Sequence, residues 1–265
     1  MAAMGDDRLL IGAAGDYGNF TIGAGAFLFN TDGTLLTTFT NPVPVAAHYF
    51  GLTVAAVGSD RVLIGASRAS AGAVSAGSAY LFSTNGVLLT TFTNPVPVAY
   101  ADFGISLAAV GSSRVLIGAT GAYDDQGTVR AGSAYLFSTN GTLLNTITNP
   151  TPATYDSFGW AVAAVGKGQV IIGAVGDSTG AAQAGAAYLF DLPYPPLSIA
   201  RNGPGVSVNW ITAETGLALQ QTAILGTSPV WSNTTNAISV SGLTNVVQQT
   251  IAGGNTNCFF RLRRP

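Results

Sequence analysis

The chain has 265 residues, of which 48% are hydrophobic but only 8% are charged, where an ordinary globular domain carries about 25%. A net charge of -2 without a basic cluster excludes a nucleic-acid-binding surface, and a single Cys, Cys258, excludes an internal disulfide or a cysteine metal cage. The apolar runs are broken every few residues by Gly or polar side chains, so none has the roughly 20 apolar residues that a membrane-spanning helix needs.

In chain order, the first recognisable segment is MAAMGDDRLLIGA, Met1 to Ala13. It lines up with VAAVGSDRVLIGA at Val54 to Ala66. The pattern opens in full at FGLTVAAVGSDRVLIGA (Phe50 to Ala66) and returns as FGISLAAVGSSRVLIGA (Phe103 to Ala119) and FGWAVAAVGKGQVIIGA (Phe158 to Ala174). The period is thus 53 and then 55 residues. Within one period the stretches Leu52 to Val57, Arg61 to Ala66, Gly77 to Ser83 and Val87 to Thr93 are rich in Val, Leu, Ile, Tyr, Phe and Thr, and are bounded by Gly, Asn or Pro. That composition predicts strands. GSD, GSS or GKG joins the first two strands, and STNG at Ser83 to Gly86 and Ser138 to Gly141 is an Asn-Gly hairpin signal. Each period therefore predicts a four-stranded antiparallel meander, and such meanders at this period are the blades of a β-propeller.

The Phe-Gly pair, the Ile-Gly-Ala about a dozen residues later and AGSAYLF at Ala76 to Phe82 and Ala131 to Phe137 resemble the FG-GAP repeat of integrin alpha-like propellers and of bacterial surface or secreted proteins. Ser67, Thr120 or Val175 stands where that repeat ends in Pro. The resemblance implies an extracellular or cell-surface binding or adhesion propeller. It also raises calcium, which some such blades hold in the turn after the first strand. Here the turns GDDR, GSDR, GSSR and GKGQ are too short and carry too few acids for a cage of 6 to 8 oxygens, so no cofactor is expected.

About four blades over residues 1–190 give an all-β fold with a ring that is incomplete or four-bladed. No Phe-Gly pair precedes Met1 and no fourth strand follows Phe190, which predicts a C-terminal portion of a longer protein, with further blades and a secretion signal upstream, or self-association through open blade edges. A Pro-rich linker is expected at 191–196. From 197 to 265, about seven short alternating strands, with Trp210 and Trp231 as core aromatics, predict a small immunoglobulin-like or fibronectin type III-like β-sandwich.

Alternating strand direction puts the tight turns on one face of the blades and the long connections on the other. Binding residues concentrate on such long loops. Their aromatics and acids are Tyr49, Tyr100, Tyr123, Tyr155, Asp16, Asp102, Asp124, Asp125, Asp156 and Asp177, contacts for a protein or glycan, with the Asp124-Asp125 pair as a weak metal site. The recurring Thr-Asn-Pro at Thr40, Thr93 and Thr148 reads as turn chemistry. Catalysis has little material: one His (His48, expected to be exposed), one Lys (Lys167), one Glu (Glu214) and one Cys. A non-catalytic binding module is expected, with a structural spacer as the alternative and a carbohydrate-active enzyme as a minor one.

Overall fold

The computed structural model describes residues 1–14, 25–43, 48–121, 131–165, 168–192, 197–202, 205–211, 218–222, 232–234, 238–241, 244–250 and 259–263. All secondary structure among them is strand or turn, and no helix is long and apolar enough to cross a membrane. The chain divides into two compact units, Met1–Asp191 and Leu192–Pro265.

The first unit is a series of antiparallel sheets in sequence order. Blade 1 is β1 (Ala2–Met4), β2 (Arg8–Ala13), β3 (Gly25–Asn30) and β4 (Leu35–Phe39), and blade 2 is β5 (Phe50–Val57), β6 (Arg61–Ala66), β7 (Ser78–Ser83) and β8 (Leu88–Thr93). Blade 3 is β9 (Ser106–Val110), β10 (Arg114–Ala119), β11 (Ser133–Ser138) and β12 (Leu143–Thr148). Among the described residues blade 4 has three strands, β13 (Phe158–Val165), β14 (Gln169–Ala174) and β15 (Ala186–Asp191), so Asp191 closes a strand rather than opening the linker expected there.

The repeated residues are the ones that join blade to blade. Register slips between Phe50 and Val54, and again between Phe158 and Ala161, so the Phe-Gly pair lies on a bulge that turns its strand toward the preceding blade. Gly104 has φ +92°, and a side chain there would strike the Ser78 carbonyl of blade 2. On the other side of the seam, Gly65 of the Ile-Gly-Ala motif lies directly against the Gly104 carbonyl, and Gly118 lies against that of Gly159. Both members of each pair must be Gly because two backbones meet there.

Around this backbone contact the aromatics close the core. Phe103 is fully buried and packs on Tyr135 and Phe137 of its own blade, with ring centroids 5.8 and 6.0 Å apart; Phe92 of blade 2 reaches the same Phe137 at 5.3 Å. Phe50 with Tyr80 and Phe82, and Phe158 with Tyr188 and Phe190, repeat the arrangement. The fully buried Phe50, Phe92, Phe103 and Phe158 each contribute about 1.5 to 3 kcal/mol by burial alone. Side-chain donors then latch one blade to the next: Thr53 Oγ1 donates to Gly104 O and Ser106 Oγ to Gly159 O, both at 2.6 Å, while Arg8 and Arg61 reach the carbonyls of Ser59 and Ser112.

Among its described residues the second unit has seven strands. β17 (Gly205–Ile211) and β21 (Thr244–Thr250) are the middle of a four-stranded sheet whose edges are β16 (Ser198–Asn202) and β20 (Ile238–Ser241). β18 (Ala218–Thr222) is the middle of a three-stranded sheet with β19 (Ser232–Asn233) and β22 (Phe259–Arg263). Val208, Trp210 and Val247 of the first sheet share one buried cluster with Leu219 and Leu262 of the second. Trp231 lies outside the described residues.

Candidate functional site

The long connections of blades 2 and 4 lie at one end of their strands, and the Thr-Asn-Pro segments begin there. In each, the Asn side chain closes an Asx turn: Asn41 Oδ1 accepts from Val43 N–H, Asn94 from Val96 N–H and Asn149 from Thr151 N–H, all at 3.0 Å. The connection then enters the next blade through residues in the left-handed region. Tyr49, Asp102 and Ser157, immediately before the Phe, have φ of 51°, 53° and 54°, and Tyr100 and Tyr155 have φ of 58° and 73°. Each such residue costs about 1 kcal/mol or more. Because this conformation recurs at the same register, it belongs to the blade crossover rather than to one special site.

The expected site residues fall into distinct environments. Tyr100 and Tyr155 are exposed, one per crossover. Tyr49 is half-buried, with the Arg68 guanidinium 6.0 Å from its ring centroid. Arg68 Nε also lies 2.9 Å from Asp102 Oδ1, an ion pair in which the N–H is not aimed at the oxygen, so that oxygen is close to a cation yet accepts no hydrogen bond. Burial pushes the Asp102 carboxyl above its ordinary pKa, and Arg68 opposes that shift. Arg68 was not among the sequence candidates. Its signal was a large cation at the register where blades 3 and 4 carry Gly121 and Gly176.

Asp156 and Asp177, expected as ligand contacts, are turned inward. Asp156 Oδ2 accepts from Asn149 Nδ2 at 2.6 Å and from Ala153 N–H at 2.8 Å. Asp177 accepts from the N–H and hydroxyl of Thr179 and from Tyr188 OH at 2.6 Å, and these bonds hold its pKa below the ordinary carboxylate value. Both are buried, and their lone pairs are used by donors of their own loops and, for Asp177, of β15. His48 corrects an expectation of exposure. It is only 8% exposed, because it fills in blade 2 the place Asp156 fills in blade 4: its Nδ1 is 3.4 Å from Asn41 Nδ2, and burial lowers its pKa. Asp16, Tyr123, Asp124 and Asp125 lie outside the described residues. Among the described residues no three His, Cys, Asp or Glu side chains cluster to hold a metal ion.

What the loop end does contain is a cleft of about 560 Å³ between the Asn94 connection and blade 3. Its apolar wall is Val96, Val98, Ala101, Ala131 and Pro152, and its polar groups come from Asn94, Ser133, Tyr135, Thr146, Thr148 and Asn149. Burial raises the Tyr135 phenol above its ordinary pKa, so it is a neutral hydroxyl at all physiological pH. Among the described residues that line the cleft, none carries a charged side chain.

Stacked four-stranded meanders, joined through Phe-Gly bulges and carrying their long loops at one end, are β-propeller blades. Residues 142–190 match the FG-GAP repeat. That segment spans β12 to β15, and its Phe158-Gly159, Ile172-Gly173-Ala174 and Ala187 to Phe190 have in-register counterparts in the preceding blades. No curated protein sequence matches the chain. Among solved structures, the β-propeller domain of the Trilobed protease from Pyrococcus furiosus, described as having an open velcro topology, is 10% identical. The comparison covers 97% of this chain and 77% of that one, with a TM-score of 0.38.

Proposed function

We propose that the chain is a non-catalytic binding module whose blades hold the cleft beside Asn94, Tyr135 and Asn149 open for a neutral glycan segment. The cleft carries the reading. Among the described residues its lining is hydroxyls and amides around an apolar wall, which suits a ligand that offers many hydroxyls and apolar C–H faces. Against these described groups an acidic or basic ligand would leave its charge unpaired. The described lining residues include no carboxylate, imidazole or thiol for acid–base or nucleophilic chemistry, which supports binding without turnover. The kinship of the repeat to those of surface and secreted proteins supports a place outside the cell, and the short acid-poor turns support function without calcium. The inward-turned Asp156 and Asp177 favour one second reading, a structural spacer.

Calorimetric titration with a panel of neutral and acidic oligosaccharides separates the two. Thr148 is exposed at the cleft, so T148W fills it without entering the core. Neutral oligosaccharides are expected to bind the parent and to lose at least about tenfold in affinity to T148W. Binding of no oligosaccharide, or equal binding to both proteins, overturns the reading.

A further inference from the structure

Two apolar faces of the blade series have no blade against them. On blade 4, Val165, Ile171 and Leu189 are 36%, 37% and 57% exposed, whereas their register equivalents in blade 2, Val57, Leu63 and Leu81, are at most 1% exposed beneath blade 3. On blade 1, Ile11 is 38% exposed and Phe27 and Phe29 are half-buried, whereas Ile64, Tyr80 and Phe82 of blade 2 are buried against blade 1. We propose that the chain associates head to tail, with the Ile11, Phe27 and Phe29 face of one copy seated on the Val165, Ile171 and Leu189 face of the next.

The occupant follows from continuity with the seams already formed. Between blades 1 and 2 an aliphatic face (Met4, Leu10, Leu28) meets an aromatic one (Ile64, Tyr80, Phe82), and between blades 2 and 3 Val57, Leu63 and Leu81 meet Ile117, Tyr135 and Phe137. The open faces are the two halves of that same pairing: aliphatic on blade 4, aromatic on blade 1. They are different surfaces, so the contact is heterologous and adds copies into a closed ring or a chain of copies.

The latches are missing from this seam. At the register of Thr53 and Ser106 blade 4 has Ala161, and at that of Arg8 and Arg61 it has Gln169, which bonds Asp191 of its own blade at 2.9 Å. A seam held by apolar contact alone is weaker than the seams inside the chain, so association is reversible and set by concentration.

Sedimentation velocity across a roughly hundredfold concentration range tests this, because mass action shifts a reversible contact over such a span. The parent is expected to rise from one-chain mass to two-chain mass and beyond. L189E and I11E, each at an exposed strand position, are expected to stay at one-chain mass with parental circular dichroism and melting temperature. Mixed together they are expected to form a two-chain species and nothing larger, since only one good seam remains. V165E and F29E serve in the same way should either first variant fail to fold. A parent at one-chain mass throughout overturns the proposal. So does association blocked by L189E but not by I11E, which marks a two-fold contact of blade 4 with itself, and so does a mixture that stays at one-chain mass.

Discussion

Gly118 and Gly173 occupy the same register in successive blades but meet different neighbours, and substituting Ala at each isolates the cost of the seam. A Cβ at Gly118 would fall 2.1 Å from Gly159 O and 2.2 Å from Ser106 Oγ, about 1 Å or more inside ordinary contact, so the blade 4 bulge must back away. Overpacking of this kind costs about 1 to 3 kcal/mol, and displacing the Ser106 hydroxyl adds about 1 kcal/mol for its hydrogen bond to Gly159. A strand Ala recovers only about 0.5 to 1 kcal/mol of backbone entropy. G118A should therefore lose about 1 to 3 kcal/mol, or about 3 to 10 °C in melting temperature for a domain of this size. At Gly173 the nearest atom is the Ala161 Cβ at 3.6 Å, an ordinary contact. G173A should keep the entropy gain and melt at or slightly above the parent temperature. Thermal and urea melts of the three proteins give the comparison. Equal losses in both variants would refute the claim that backbone approach between blades fixes these glycines.

Other consequences follow from the same seams and loops. T53V removes the donor to Gly104 O and should cost about 1 kcal/mol in urea unfolding, with no change in circular dichroism. F103A empties a fully buried ring position shared by blades 2 and 3 and should cost about 3 to 5 kcal/mol by the same measurement. Burial keeps His48 neutral in the folded chain, whereas the unfolded chain protonates near pH 6.5, so its effect is absent above about pH 6.5 and lowers stability progressively as pH falls below it. H48Q should flatten that part of a stability–pH profile. The Asp177 carboxylate, held below its ordinary pKa, contributes stability above about pH 4 that is lost as pH falls through its folded value, and D177N should remove this acid-side slope.

The repeat was legible because its signals are local. Alternating strands, Asn-Gly hairpins and paired Gly at fixed spacing each have a backbone reason visible in the sequence, and the Phe-Gly bulge is the same reason seen from the neighbouring blade. The three strands of blade 4 were legible too, since DLPYPP follows Phe190 where a fourth strand is due. The site was less legible. Loop position identified Tyr100 and Tyr155, which are exposed, but loop position does not say which way a short acid turns. Asp156 and Asp177 follow the Asn-Pro and Gly turns closely enough to bond their own backbone and neighbours, so they are consumed there. Tyr135 and Asn149 line the cleft because of their strand and turn registers, and both read as scaffold residues in the sequence.

Amide hydrogen exchange at Phe103 and Phe158 tests the joining of blades most directly. Phe103 N–H donates to Ala76 O of blade 2 at 3.1 Å, and Phe158 N–H to Ala131 O of blade 3 at 2.8 Å; each lies just outside a regular ladder and depends on the seam. If the Phe-Gly seams bind the blades into one cooperative body, these amides should exchange as slowly as those of Leu63 in β6 and Leu116 in β10, close to the rate of global unfolding. Exchange at the rate of the open loops, with β6 and β10 still protected, would contradict the account.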